Sequence, residues 1–194
     1  MHYIVGLGNP GEEYKLSRHN AGRIIVDDFR KNEKLDDFEI NKKINALVSE
    51  GKVAKEKTML ILPETFMNKS GLSLKNLITS KKKAESLIVV HDDVDLPLGR
   101  AKISFSSGSG GHKGVESIMR AIKTKDFARI RVGVSPTTPS GKIKRIESKK
   151  MGDFILGNFS PKEQAIIKKE SKKITSALEA MIGEGREKAM NFLN

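Results

Sequence analysis

The chain contains no cysteine and no tryptophan, and its 194 residues include only two tyrosines and eight phenylalanines. The missing cysteines exclude disulfides, thiolate nucleophiles and cysteine-based zinc sites. They fit a reducing compartment, and a cytoplasmic location is expected. At 5% aromatic content the chain offers little for stacking single-stranded bases. No apolar run approaches the ~18 residues of a membrane span. The opening residues, Met-His-Tyr-Ile-Val-Gly, enter a strand-like run without a signal-peptide pattern. Acid is the scarcer charge: 24 Asp+Glu stand against 36 Lys+Arg, a formal net charge of +12. By charge alone this points to a polyanionic partner, either nucleic acid or an anionic membrane, against the plainer reading of a lysine-rich solvated surface.

The length predicts one domain, residues 1–194, with enough chain to bury a core. Strand and helix patterns alternate, which predicts an α/β fold. Strands are expected over 2–7, 44–50, 57–62, 86–91, 100–106 and 127–134, with Gly51 joining the second and third. A helix should run from a cap at Asn20 to about Phe29, its stripe being Ala21, Ile24, Ile25 and Phe29. Another should follow Phe66-Met67-Asn68, capped by Asn68 or Ser70, with Leu74, Leu77 and Ile78 on one face and Lys81-Lys82-Lys83 at its end. A third is expected over 113–122. Residues 31–43 and 135–150 read as loops, the latter basic. Ser160-Pro161-Lys162-Glu163 has the form of a capping box with proline at the first helical position, and that helix should reach Gly183 before a short final one.

Gly6-Leu7-Gly8-Asn9-Pro10-Gly11 matches the dinucleotide pattern G-x-G-x-x-G after a strand, with Asp27 about 20 positions on. That pattern needs a helix to begin at the glycines, so that its N-terminus meets the pyrophosphate. Here Pro10-Gly11 and a polar stretch intervene, which argues against a nicotinamide site. Ser106-Ser107-Gly108-Ser109-Gly110-Gly111 is a flexible loop and not a P-loop, since no Gly-Lys-Ser/Thr follows.

His19, His91 and His112 each fall beside a loop or a strand end. A lone histidine near a helix start is usually structural. His19, however, has a potential partner in Asp92, which the most apolar strand delivers to its carboxyl end, where open α/β sheets collect ligands. A histidine with an orienting carboxylate forms a general base. No serine sits in a Gly-x-Ser-x-Gly elbow, so water is the expected nucleophile. Three histidines and several aspartates are available as ligands, but no H-x-x-x-H or H-x-H spacing occurs, which argues against a metal site. Asn9 and Asn68, beside loop ends, can donate an amide to a carbonyl or a developing oxyanion, although each also reads simply as a turn or cap residue.

Several motifs together resemble the bacterial peptidyl-tRNA hydrolase family. They are Gly6 to Gly11 with Tyr14 and Arg18-His19-Asn20-Ala21-Gly22, then Phe66-Met67-Asn68-Lys69-Ser70-Gly71, then His91 to Pro97. Gly110-Gly111-His112-Lys113-Gly114, Arg129 to Val134 and Phe154 to Phe159 complete the series, in family order along the chain. The resemblance implies a monomeric single-domain α/β fold whose twisted, mixed and mostly parallel sheet is flanked by helices. It implies water attack on the ester between a peptide and the 3′-terminal ribose of tRNA, which recycles tRNA from aborted translation. Peptidyl-tRNA is then the partner; no cofactor, metal or membrane is expected. By motif position His19 is the base and Asp92 its partner. Asn9, Tyr14, Met67, Asn68, His112 and Lys113 fall at substrate-binding positions; by charge Arg131, Lys102, Arg100 and the 142–150 cluster are candidates for tRNA phosphate, and the resemblance supports Arg131 best among them. Lys113 stands where the family usually has asparagine; lysine cannot accept a hydrogen bond and adds a charge. The competing reading is a non-catalytic RNA-binding protein on the same fold.

Overall fold

Strand β1 (His2–Gly6) lies at the middle of a seven-stranded sheet. The sheet runs β2 (Glu39–Asn41), β3 (Ala46–Val53), β4 (Glu56–Pro63), β1, β5 (Leu87–Pro97), β7 (Ala128–Ser135), β6 (Ala101–Phe105). The four central strands β4, β1, β5 and β7 are parallel. The edges, β2–β3–β4 on one side and β6–β7 on the other, pair antiparallel. The structure is a computed structural model and describes residues 1–193. It has the expected architecture, a mixed sheet with a parallel centre and helices on both faces.

Period-2 alternation splits the core into two layers. Ile4, Ile88 and Val90 pack on one face of the sheet. There they meet Ile25, Val26 and Phe29 of α1 (Ala21–Asn32) and Ile167, Ile174 and Leu178 of α5 (Pro161–Gly183). Tyr3, Val5, Leu87 and Val89 point to the other face and meet Leu74, Ile78 and Ala84 with Val115 and Ile118 of α3 (Lys113–Ile122). The short helices α2 (Lys81–Glu85), α4 (Met151–Leu156) and α6 (Arg186–Leu193) complete the set.

Helix α5 begins as the sequence predicts. Ser160 accepts from the Glu163 amide while Glu163 accepts from the Ser160 amide, with Pro161 in the first turn. Other expectations need correction. Gly51 lies inside β3, and the reversal falls at Ala54 and Lys55, both with positive φ. The expected loop over 31–43 holds the last residues of α1 and the edge strand β2. The residues directly after Asn68 are not α-helical. Residues Met67–Ser73 form 3-10 turns pressed onto α3, where a β-carbon on Gly71 would stand 2.2 Å from the Ser117 carbonyl oxygen. Leu74 and Ile78 are buried nonetheless, because the turns present the same apolar side chains. Lys81 to Lys83 open α2 rather than end a helix, and Ser80 caps it by accepting from the Lys83 amide.

Candidate active site

Beyond Gly6, β1 has no further partner in β5: Gly6 pairs with Val90, and β5 runs on through His91, Asp92 and Asp93 alongside β7. Those three residues therefore stand above the carboxyl end of β1. Asp92 shares the parity of Ile88 and Val90 and so faces the α1 side, where a 3-10 turn, Arg18–Asn20, carries His19. The turn is anchored from the far end of the chain. Arg18 donates to both carboxylate oxygens of Glu163 at 3.0 Å and to the Phe154 and Gly157 carbonyls. Its guanidinium also lies over the Phe154 and Phe159 rings.

His19 Nδ1 is 2.9 and 3.0 Å from the Asp92 oxygens, and His112 Nε2 is 2.9 Å from Asp92 Oδ1. Burial alone would raise the Asp92 carboxyl, but the charges of His112 and His19 and their hydrogen bonds hold it well below the usual carboxylate range. An ionised carboxylate only accepts, so both rings donate. His112 Nδ1 is independently an acceptor, taking the Gly114 and Val115 amides at 3.2 and 3.3 Å as the N-cap of α3. Its proton therefore sits on Nε2. His19 correspondingly carries its proton on Nδ1, which leaves Nε2 with a free lone pair beside the cleft.

His91 is fully buried behind this pair. Its Nδ1 donates to the Asp92 carbonyl at 2.7 Å, and its Nε2 faces Arg129 Nη1 at 3.5 Å. Burial, and then the charge of His112, hold its ring well below the usual imidazole range. The His91 and His112 rings meet edge to face, 4.7 Å apart.

Asn20, expected as a cap, does not cap α1 with its side chain. It clamps Asn9 instead, accepting from the Asn9 amide at 2.8 Å and donating to the Asn9 carbonyl at 2.9 Å. The Asn9 side chain accepts from the Met67 amide at 2.9 Å, which turns its NH2 group toward the cleft. The cleft has a volume of about 560 Å³. It brings together His19, Asp92, Asn9, Met67, Asn68, His112 and Lys113, all singled out from the sequence. Asn68 and Lys113 are exposed there, and Asn68 is not a helix cap. Three sequence candidates lie outside the cleft wall. Tyr14 sits half-buried in a separate 3-10 turn. Arg131 is bound through Nε to Asp93 at 2.6 Å, and exposed Lys102 is its cross-strand neighbour on β6.

Sequence reasoning missed the cap made by His112, the clamp made by Asn20 and the buried pair His91–Arg129. The first had a signal: His112 directly precedes the expected helix, the position where a side-chain acceptor meets free amides. The glycine pattern at 6–11 is followed by two 3-10 turns, and α1 starts only at Ala21; its first turn packs against Gly6 and Gly8, and its Arg23 amide is already taken by the Leu7 carbonyl at 3.1 Å.

A helix-flanked mixed sheet with a parallel centre and a buried histidine–carboxylate pair at its strand ends is the frame of an α/β enzyme. The sequence profile for peptidyl-tRNA hydrolase matches residues 3–194. The chain is 36% identical over 197 residues to a peptidyl-tRNA hydrolase of Thermodesulfovibrio yellowstonii, covering 100% of this chain and 99% of that protein. It is 38% identical over 196 residues to the Finegoldia magna protein of the same name, covering 100% and 97%. The crystal structure of peptidyl-tRNA hydrolase from Acinetobacter baumannii superposes with a TM-score of 0.87 at 27% identity, over 100% of this chain and 94% of that one. The chain belongs to the peptidyl-tRNA hydrolase family.

Proposed function

We propose that this chain is a peptidyl-tRNA hydrolase in which His19 is the general base and Asp92 its orienting acceptor. The observation that carries this reading is the His19–Asp92 pair, whose geometry leaves Nε2 of His19 unprotonated at the cleft. Nε2 takes a proton from water as the water oxygen bonds to the ester carbonyl carbon. The tetrahedral oxyanion collapses, the bond to the ribose oxygen breaks, and the imidazolium returns the proton to that oxygen. The Asn9 NH2 and the free amide of Asn68 are the donors for the substrate carbonyl and the oxyanion. Phe66 and Leu156, exposed apolar side chains in the cleft wall, suit peptide side chains.

The reaction as read uses no metal. His19, Asp92 and His112 have metal-ligand proximity. A neutral His112 cannot ligate through Nε2 while its Nδ1 accepts two amides, because its one proton would then have no place. The working unit is a single-domain monomer over 1–194 acting in the cytoplasm on peptidyl-tRNA. No helix among the described residues is long and apolar enough to cross a membrane. Hydrolysis of an N-acylated aminoacyl-tRNA by the purified protein tests the reading and separates it from a non-catalytic RNA-binding role. Turnover that His19→Ala removes supports it, and absence of turnover in the wild type overturns it.

A further inference from the structure

The wall of the cleft includes Ser109, Gly110 and Gly111, part of the loop joining β6 to α3. Little packing holds this segment. A β-carbon added at Gly108, Gly110 or Gly111 would meet nothing within 4 Å. Its far end is fixed by His112, whose ring is bonded to Asp92 and caps α3. At its near end Ser106 donates to Asp126 at 2.7 Å, and the two residues that follow are held by Arg129.

Arg129 is unusual in its own right. It lies on β7 with 4% exposure, and among the described residues its guanidinium pairs with no carboxylate. One Nη donates to the Ser107 hydroxyl and, at 2.7 Å, to the Gly108 carbonyl; the other faces the lone pair of His91 Nε2. A buried charge facing only neutral acceptors is costly to keep. Three acceptors around one planar fork is a geometry that lysine cannot reproduce. The same fork thus joins the glycine loop to His91, whose ring packs against His112.

We propose that Arg129 is a positioning residue: it latches the 107–111 loop in the place where that loop forms a wall of the substrate cleft. Its effect reaches substrate through Ser109 to Gly111 and leaves the His19–Asp92 pair in place. The inference rests on this cleft being the site of peptidyl-tRNA hydrolysis.

The experiment uses Ser107→Ala, which removes one anchor outside the core, and Arg129→Lys, which keeps the charge without the fork. Two readouts are taken: amide hydrogen exchange over 106–111 without substrate, and steady-state hydrolysis of N-acylated aminoacyl-tRNA. For both folded variants exchange in the loop should quicken, and KM should rise roughly tenfold or more, the scale of a lost charge-assisted hydrogen bond. The kcat of Ser107→Ala should stay within about twofold. Unchanged exchange overturns the latch, and quickened exchange with unchanged KM overturns its role in substrate binding. A fall in kcat at constant KM places the effect on the chemistry and also overturns it. If Arg129→Lys does not fold, Ser107→Ala decides alone. Should the wild type lack hydrolysis, the functional reading fails, while exchange still judges the latch.

Discussion

Nδ1 of His19 reaches both oxygens of Asp92, at 2.9 and 3.0 Å, while Oδ1 of the same carboxylate takes Nε2 of His112 at 2.9 Å. One carboxylate thus sets two tautomers. Asp92→Asn breaks this arrangement without removing a heavy atom. The amide offers one acceptor and one donor, so one of the two rings must face an N–H group or flip. The expected outcome is a fall in kcat on the order of 10²-fold or more with native far-UV circular dichroism. His19→Ala should be more severe, with hydrolysis near background while tRNA still binds. Single-turnover hydrolysis and filter binding measure the two quantities separately. Full kcat in Asp92→Asn would remove the orienting role assigned to the carboxylate.

His91 supplies a pH dependence of stability distinct from the chemistry. Its folded-state pKa lies well below the unfolded value of 6.5, because burial and the charge of His112 disfavour the imidazolium. Below pH 6.5 the unfolded chain therefore binds the extra proton first. The stabilisation is complete above that pH and is lost as pH falls toward the folded pKa, by at most about 1.4 kcal/mol per pH unit. Asp92 has the carboxylate pattern: its folded pKa is depressed, and its contribution fades only below 3.8. Urea unfolding between pH 4.5 and 7 should show the His91 slope. His2, also lowered, adds to it with the same sign, so the comparison with His91→Gln isolates the buried ring. Equal slopes in the two proteins would refute the assignment.

The elements legible in the sequence were those whose signals are local. Apolar spacing predicts the 113–122 helix and the capping box predicts α5, and the structure has both. The pairing of His19 with Asp92 follows from the strand ends, which requires only a parallel sheet centre. What could not be read depends on contacts distant in sequence. Asn20 precedes a helix and has the chemistry of a cap, yet the backbone of Asn9 engages both ends of its amide. Residues after Asn68 carry helical apolar spacing, but Gly71 is pressed onto Ser117 of α3, where 3-10 turns fit. The reversal near residue 51 went to Ala54 and Lys55 because the register with β4 carries Gly51 opposite Thr58.

Arg18 fastens the turn that carries His19 to the segment between α4 and α5. Both members of its pair with Glu163 are largely buried, with side chains 14% and 21% exposed. Glu163→Gln removes the charge and weakens the capping box at once. Removing one partner from a buried ion pair costs on the order of 3 kcal/mol, which chemical denaturation should register. Exchange should quicken at residues 16–20 together with 154–163, since the 17↔158 bridge and the Arg18 contacts join the two segments. Quickening confined to the start of α5 would mean that Arg18 does not couple them.

Gly22 sets how closely α1 approaches the sheet. A β-carbon there would stand 2.2 Å from the Val90 carbonyl oxygen and 2.6 Å from the Leu7 nitrogen, both rigid backbone. Gly22→Ala should therefore push α1 and the His19 turn away from β5 and destabilise the protein by about 4 kcal/mol or more. Gly152→Ala on α4 is the control, with no atom within 4 Å of the new carbon. It should be neutral or stabilise by up to about 1 kcal/mol through helix propensity. Similar losses in the two variants would show that contact with the sheet is not the cause.

The excess of positive charge, +12 over the chain, predicts a tRNA affinity that falls steeply with salt. Arg131 is the sharper test. Asp93 binds its Nε at 2.6 Å and orients the guanidinium, while among the described residues neither terminal nitrogen makes a hydrogen bond. Lys102 stands beside it across the β6–β7 ladder. A cation oriented in this way can grip one phosphate through the free ends of its fork. Arg131→Gln should therefore weaken tRNA binding and reduce the slope of log affinity against log salt by about 1. Lys102→Gln should act in the same direction. Because the two residues flank one position, the double variant should lose less than the sum of the single losses. Affinity measured across a salt series decides the matter. An unchanged slope in Arg131→Gln would remove this residue from the phosphate contacts and leave its bond to Asp93 as its whole role.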